Sequence, residues 1–218
     1  MCNSKLGAFA LLFAVSCGMC GCRGTPGSGK IENVAREVGP FHAIALGGEF
    51  DCDITVDPKG VQAVALQADD NLLPLISTNM NGGQLRIGTM TAIAPSRTIH
   101  VTIIAKELDA LIVSGAGKVR VSGIRSANFG ASVSGAAAVA LAGQVTESTI
   151  DISGAADVAA FDLLAANATV RLSGAGSAQV FASAKLDARV SGVGSVEFRG
   201  NPKIIDKNIS GVGSVTAK

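Results

Sequence analysis

The sequence of 218 residues contains no tryptophan and no tyrosine, and its formal net charge is only +1. Trp and Tyr are the commonest anchors of protein interfaces, so recognition that depends on such anchors is excluded. A chain without a strong positive field is also unsuited to binding nucleic acid or an anionic membrane surface through its charge. We therefore expect no nucleic-acid partner.

Glycine is abundant instead, with 27 residues, and alanine, serine and valine are frequent. This composition is typical of thin β-strands joined by tight turns, and not of helices that pack bulky side chains. At this length we expect one structural unit.

The first residues have the composition of an export signal. Lys5 precedes an apolar run over residues 6–15, and small residues and cysteines follow it. The run is too short to remain as a transmembrane helix, and no later run reaches the ~20 apolar residues that a span needs. We predict an exported protein with a signal segment over residues 1–22.

A cysteine directly after the apolar run resembles the bacterial lipoprotein signal, in which the cysteine is acylated and becomes the new N-terminus. Two positions fit, Cys17 and Cys22. We predict a lipid anchor at one of them, and delivery to the outer membrane, facing the periplasm or the surface, because neither is followed by aspartate. An ordinary cleaved signal is the alternative. A metal site formed with Cys20 would lack a fourth ligand, so we expect none.

Residues 23–30 are rich in glycine, and we interpret them as a flexible tether. With Lys30 they approach the phosphate-loop pattern, but Ile31 replaces the metal-binding hydroxyl and no strand precedes the loop. We therefore predict no nucleotide and no other cofactor. Beyond the N-terminal region only Cys52 remains, which excludes a disulfide framework.

The strongest pattern is a Ser-Gly tetrapeptide that recurs six times in the C-terminal half. Its serines are Ser114, Ser134, Ser153, Ser173, Ser191 and Ser210, at spacings of 20, 19, 20, 18 and 19 residues. A fixed period of this size is typical of solenoids. We predict an all-β fold, a parallel β-helix or solenoid with coils of about 19 residues, regular from about residue 108.

Alignment on the serine shows apolar columns on both sides of the Ser-Gly corner. The positions one and three before the serine, and five and seven after it, are apolar in all six repeats except at Lys207. Residues two apart share a face of a strand, so these columns predict the core. Six equivalent serine hydroxyls cannot all be nucleophiles, and we interpret them as a hydroxyl ladder. The glycine indicates either a positive φ or a close backbone approach.

Residues 41–105 are less periodic but also β-rich. Alternating apolar residues predict two strands within 41–56 and further strands over 61–67 and 97–105, and Asn-Gly-Gly at 81–83 predicts a hairpin. We expect this half to cover the first coil, within a domain that runs over residues 31–218.

Four segments in this half occur in the order of a known family. They are Phe-His-Ala-Ile at 41–44, Gly-Glu-Phe-Asp at 48–51, Ala-Asp-Asp-Asn-Leu-Leu at 68–73 and Gly-Gln-Leu-Arg-Ile at 83–87. Together with the repeats they resemble the bacterial head GIN domain family of proposed autotransporter adhesins, which are often lipoproteins. The resemblance covers about residues 31–218. It implies a β-helical fold, an envelope location and an adhesive role, and it brings no catalytic residue.

No residue pattern indicates an active site. His42 and His100 lie in strand-like stretches, and Asp51 and Asp53 are expected on the solvent side of a strand. The basic residues of the repeats show no stripe, so we interpret them as a solvated surface.

We predict a non-catalytic cell-envelope lipoprotein, an adhesin or a surface-binding or structural module. Its expected partners are the membrane, through the N-terminal lipid, and a surface glycan or protein; the sequence does not indicate an oligomeric state. The alternative is a polysaccharide-active enzyme on a β-helix scaffold, which needs a cluster of acid and base groups that these repeats lack.

Overall fold

A computed structural model describes residues 24–218. Within this range the chain is nearly all β-strand, and its one helix is a 3₁₀ turn over Leu73–Leu75. No helix in the described range is long and apolar enough to cross a membrane. The strands are β1 (Thr25–Pro26), β2 (Ile31–Arg36), β3 (Ala43–Gly47), β4 (Phe50–Val56), β5 (Ala63–Asp69), β6 (Ile76–Asn81), β7 (Gln84–Thr89), β8 (Ile93–Ala94), β9 (Ile99–Ala105), β10 (Ala110–Val113), β11 (Ala116–Val133), β12 (Ala136–Ile152), β13 (Ala155–Leu172), β14 (Ala175–Phe181), β15 (Lys185–Val190), β16 (Val193–Arg199), β17 (Ile204–Ile209) and β18 (Val212–Ala217).

The repeats form stacked parallel coils of about 5 turns, which confirms the predicted β-solenoid. Each coil has a segment that leads into the Ser-Gly corner and a segment that leaves it. The leading segments form the pre-corner sheet, in the order β6, β7, β3, β10, β11, β12, β13, β15, β17. The leaving segments form the post-corner sheet, in the order β2, β5, β9, β4, β11, β12, β13, β14, β16, β18. Strands β11 to β13 bend around the coil and belong to both sheets.

Equivalent residues of successive repeats are paired in register. Val119 pairs with Val139, and the column continues coil by coil to Val215. All four predicted columns are buried in the first five repeats, at 4% exposure or less, so the predicted core is confirmed there. The sixth repeat differs. Ile209 is 43% exposed, because no further coil of the described chain covers β17 and β18.

The glycine after each corner serine allows two coils to approach closely. Gly135 does not have a positive φ, but a Cβ at this position would overlap the carbonyl oxygen of Gly115. The coils are joined at the corner by backbone hydrogen bonds, from Ser134 N to Val113 O at 2.9 Å and from Ala136 N to Gly115 O at 3.1 Å. Close approach is therefore the correct one of the two explanations that the sequence left open.

The N-terminal half supplies the first coils, but not in chain order. β7 and β9 form the outermost coil, and β3 and β4 lie between it and the coil of β10 and β11. β9 therefore separates β4 from β5, although these strands follow each other along the chain. The antiparallel strands β2, β5 and β6 close this end, and the predicted β6–β7 hairpin is confirmed.

Residues 24–30, for which we predicted a flexible tether, are hydrogen-bonded to the closed end in the structure. β1 pairs with β8, and the backbone N–H of Ser28 donates to Asn71 Oδ1 at 2.9 Å. We name this segment the strap. Glycine makes the contact possible, because a Cβ on Gly27 would overlap the Asp69 carboxylate.

Candidate binding groove

The residue two places before each corner serine points outward from the pre-corner sheet. Ser132, Asp151, Arg171, Arg189 and Asn208 occupy this position in successive coils and are paired in register. Neighbouring strands lie ~4.8 Å apart. These side chains therefore form one polar row along the solenoid.

An open groove of about 410 Å³ lies between the C-terminal part of this row and the corner serines. We name it the corner groove. Its polar lining residues are Asp151, Arg171, Arg189, Asn208, Ser153, Ser173, Ser191 and Ser210, and Ile152, Leu172 and Val190 complete it. The groove combines carboxylate, guanidinium, amide and hydroxyl groups at regular intervals.

Both arginines of the corner groove have acidic partners. Arg171 Nη1 lies 3.2 Å from Asp151 Oδ1, and Arg189 contacts Asp187 through Nε and Nη2 at 3.1 and 3.0 Å. The hydrogen bonds and charge of Asp187 raise the pKa of Arg189 above its usual range, so this guanidinium stays charged. A guanidinium has five N–H donors, so each arginine keeps further donors for a ligand.

The outer face of the post-corner sheet carries a second depression of about 360 Å³. Its floor is formed by Ala138, Ala140 and Ala159. Polar side chains border it on both sides: Lys118, Arg120, Asp157, Ser177 and Gln179. The alanine methyl groups of this floor cannot orient a polar ligand, whereas the polar side chains of the corner groove stand in one continuous in-register row. The corner groove is therefore the better candidate for specific recognition.

The residues that the sequence analysis considered as candidates for an active site do not line the corner groove. His42 is on the exposed surface, with Nδ1 3.7 Å from Asp109 Oδ2, and His100 points outward from β9. The predicted outward positions of Asp51 and Asp53 are confirmed, because they alternate with buried residues along β4. Cys17 and Cys22 lie outside the described residues.

The described part of the chain offers few other groups that could bind a metal ion or act as a nucleophile. No group of three His, Cys, Asp or Glu side chains there could hold a metal ion. The Cys52 thiol is buried in the core, and this burial raises its pKa to about 12. A thiol that stays protonated is not a nucleophile.

We did not predict the corner groove from the sequence, because its arginines were interpreted as scattered surface charges. The signal was present at the position two before the serine, where Asp151, Arg171 and Arg189 follow one another in the aligned repeats. Only the stacking of coils turns this column of the alignment into a continuous surface.

Comparisons with known proteins agree with the resemblance seen in the sequence. A family model described as "Putative auto-transporter adhesin, head GIN domain" matches residues 40–202. A crystal structure of "a putative adhesin" from Bacteroides fragilis has a TM-score of 0.75 at 21% identity and covers 89% of this chain and 100% of its own. A comparison with curated proteins finds no match.

Two further crystal structures share the fold less closely. A "putative lipid binding protein" from Parabacteroides distasonis has a TM-score of 0.51 at 20% identity, covering 90% of this chain and 100% of its own. "A putative adhesin" from Parabacteroides merdae has a TM-score of 0.50 at 18% identity, covering 90% of this chain and 99% of its own. At these identities the structures show a common fold alone.

Proposed function

This chain belongs to the head GIN domain family, and on that premise we propose that it is a non-catalytic lipoprotein of the cell envelope that binds a surface glycan or protein. The family is described as a "Putative auto-transporter adhesin", and two of the three solved structures above are described as "a putative adhesin". Binding takes place along an outer face of the solenoid, at the corner groove.

The in-register row of Asp151, Arg171, Arg189 and Asn208 beside the corner serines carries this proposal. Guanidinium and carboxylate groups make paired hydrogen bonds, which give geometric specificity. A repetitive partner can contact several coils at once and gains avidity from weak, similar contacts. The groove is open and the interior of the solenoid is filled by side chains, so the surface suits an extended partner and does not enclose a substrate.

A binding panel run beside a cleavage panel tests the proposal. The chain without residues 1–23 is offered glycans, polysaccharides and whole cells, and products are assayed in the same samples. We expect binding without products. Polysaccharide cleavage that is stimulated by metal and lost on replacement of a single Asp would contradict the proposal and favour an enzyme.

The lipid anchor at Cys17 or Cys22 is the second part of the proposal. A diacylated cysteine with a third acyl chain exceeds the two signals that stable membrane attachment requires. The full-length protein should therefore partition into detergent with the mass of an acylated chain, and replacement of both cysteines by alanine should release it. Membrane attachment with unchanged mass in the double variant would contradict the anchor.

A further inference from the structure

The strap is fixed to the closed end of the solenoid along its whole length. Thr25 N donates to Ala92 O at 2.9 Å, and Gly27 N donates to Ala94 O at 2.9 Å. Gly29 N donates to Asp69 Oδ1 at 2.7 Å. The strap therefore crosses the loop between β7 and β9, the two strands that form the outermost coil.

The packing under the strap leaves no room for a side chain at two of its glycines. A Cβ on Gly24 would overlap the backbone of Ile93, and a Cβ on Gly27 would overlap the Asp69 carboxylate. Asp69 is completely buried and also accepts hydrogen bonds from the N–H and the hydroxyl of Ser96, at 2.9 and 2.6 Å. One carboxylate thus joins the strap, β5 and the loop before β9.

We propose that the strapped end of the solenoid faces the membrane at short range, so that the partner of this surface is a lipid bilayer. The inference rests on the proposed lipid anchor. Gly24 is the second residue after Cys22 and the seventh after Cys17. At about 3.5 Å per extended residue, the strap begins at most about 7 Å or about 25 Å from the acylated cysteine. A tether free up to Ile31 would reach about 32 Å or about 49 Å.

The surface beside the strap carries an exposed apolar side chain, which suits contact with a lipid bilayer. Met90 is 62% exposed and lies two residues before Ala92, which accepts the first hydrogen bond of the strap. An exposed apolar side chain is favourable where it reaches the boundary between headgroups and acyl chains. The coils β3–β4 and β10–β11 separate this outermost coil from β12, where the corner groove begins. The groove is therefore presented away from the bilayer.

Single tryptophans can test this arrangement directly, because the chain has none of its own. Met90→Trp marks the strapped end, and Val212→Trp marks the opposite end, where Val212 is 76% exposed. The full-length acylated protein is placed in phosphatidylethanolamine and phosphatidylglycerol vesicles that contain a lipid with a fluorescence quencher on its headgroup. We expect loss of most of the fluorescence at position 90 and little loss at position 212.

Release of the strap gives the matched comparison. Gly27→Val, combined with the position 90 probe, should reduce quenching because the side chain displaces the strap from Asp69. Gly130→Val is the control, since a Cβ on Gly130 meets no atom within 4 Å. Equal quenching at both probe positions in a vesicle-bound protein overturns the membrane-facing end and leaves the anchor intact. A protein that does not partition with vesicles overturns both.

Discussion

Ala188 of β15 and Lys207 of β17 are paired in register at the same inward-facing position of neighbouring coils. Ala188 is completely buried, whereas Lys207 is exposed. Lys207 Nζ donates to Val215 O at 2.9 Å and lies 5.1 Å from the centroid of the Phe198 ring. The Lys207 ammonium group therefore lies over the last coil, at the end of the stacked core. An inward-pointing charge discourages the edge-to-edge pairing of sheets.

Lys207→Ile should make the last coil self-associate. The substitution would place a third isoleucine beside Ile205 and Ile209, which are 45% and 43% exposed, on an edge of β17 that pairs with no other described strand. We expect concentration-dependent oligomers in analytical ultracentrifugation. Lys203→Ile removes the same charge from the preceding loop and should keep the oligomeric state of the wild type. Oligomers in both variants, or in neither, would show that Lys207 does not protect the edge.

Val133→Asp should destabilise the solenoid strongly, because Val133 is completely buried. The loss of valine burial costs ~1.5–3 kcal/mol, and desolvation of a carboxylate adds to it. Ser132→Asp introduces the same side chain one residue earlier, at an exposed position, and should cost far less, within the ~0.2–1 kcal/mol of a cross-strand pair, because only the like charge of Asp151 in the next coil opposes it. Urea unfolding measures both, and equal shifts would refute the assigned faces.

Gly135→Ala should cost about 1–3 kcal/mol, the usual range for an overpacked site. Its Cβ would meet the Gly115 carbonyl oxygen of the coil below. Gly130→Ala, where the Cβ has open space, should be neutral or stabilising by about 0.4–1 kcal/mol through the entropy of the unfolded chain. Thermal unfolding of the pair gives the comparison, and a Gly130 variant that is the less stable of the two would contradict close coil contact at the corner.

The repeats predicted the regular coils because each position of the repeat has one environment. Val119, Val139 and Val158 are buried for the same reason, and the alignment shows that reason directly. The N-terminal half has no such redundancy. The turn after β4 looks local, but β9 inserts between β4 and β5. Local alternation contains no information about a strand that begins 43 residues after β4 ends.

The strap and the groove were missed for a related physical reason. Glycine-rich residues 24–30 have the composition of a flexible linker, yet the lack of a side chain at Gly27 is what lets the segment pack over Asp69. The signal for docking lies in its partners, Asp69 and Ser96, which are distant in sequence. Likewise Arg171 and Arg189 form a surface only after the coils are stacked.

The strap should loosen in acid. The hydrogen bond from the Ser96 hydroxyl, followed by the backbone N–H donors, lowers the pKa of Asp69 below its usual range. A lowered folded-state pKa means that this carboxylate stabilises the fold fully above pH ~4, and that the contribution is lost as pH falls through the folded-state pKa. Hydrogen exchange at Gly27 and Gly29 should accelerate relative to core amides at low pH.

Asp69→Asn should remove this acid dependence and expose the strap amides at neutral pH as well. Asp162→Asn removes one exposed carboxylate from β13 and serves as the control. An unchanged pH profile in the Asp69 variant would show that another group holds the strap.

The binding of matched charge variants tests the corner groove most directly. The double variant Arg171→Ala with Arg189→Ala removes two cations from the corner groove. The double variant Lys118→Ala with Arg120→Ala removes two cations from the post-corner sheet. Each double variant is compared with the wild type on the glycans or cells that the wild type binds, with products assayed alongside. We expect loss of most binding in the groove variant alone, with the ligand intact; equal binding by the two variants, or cleavage of the ligand, would contradict binding at the corner groove.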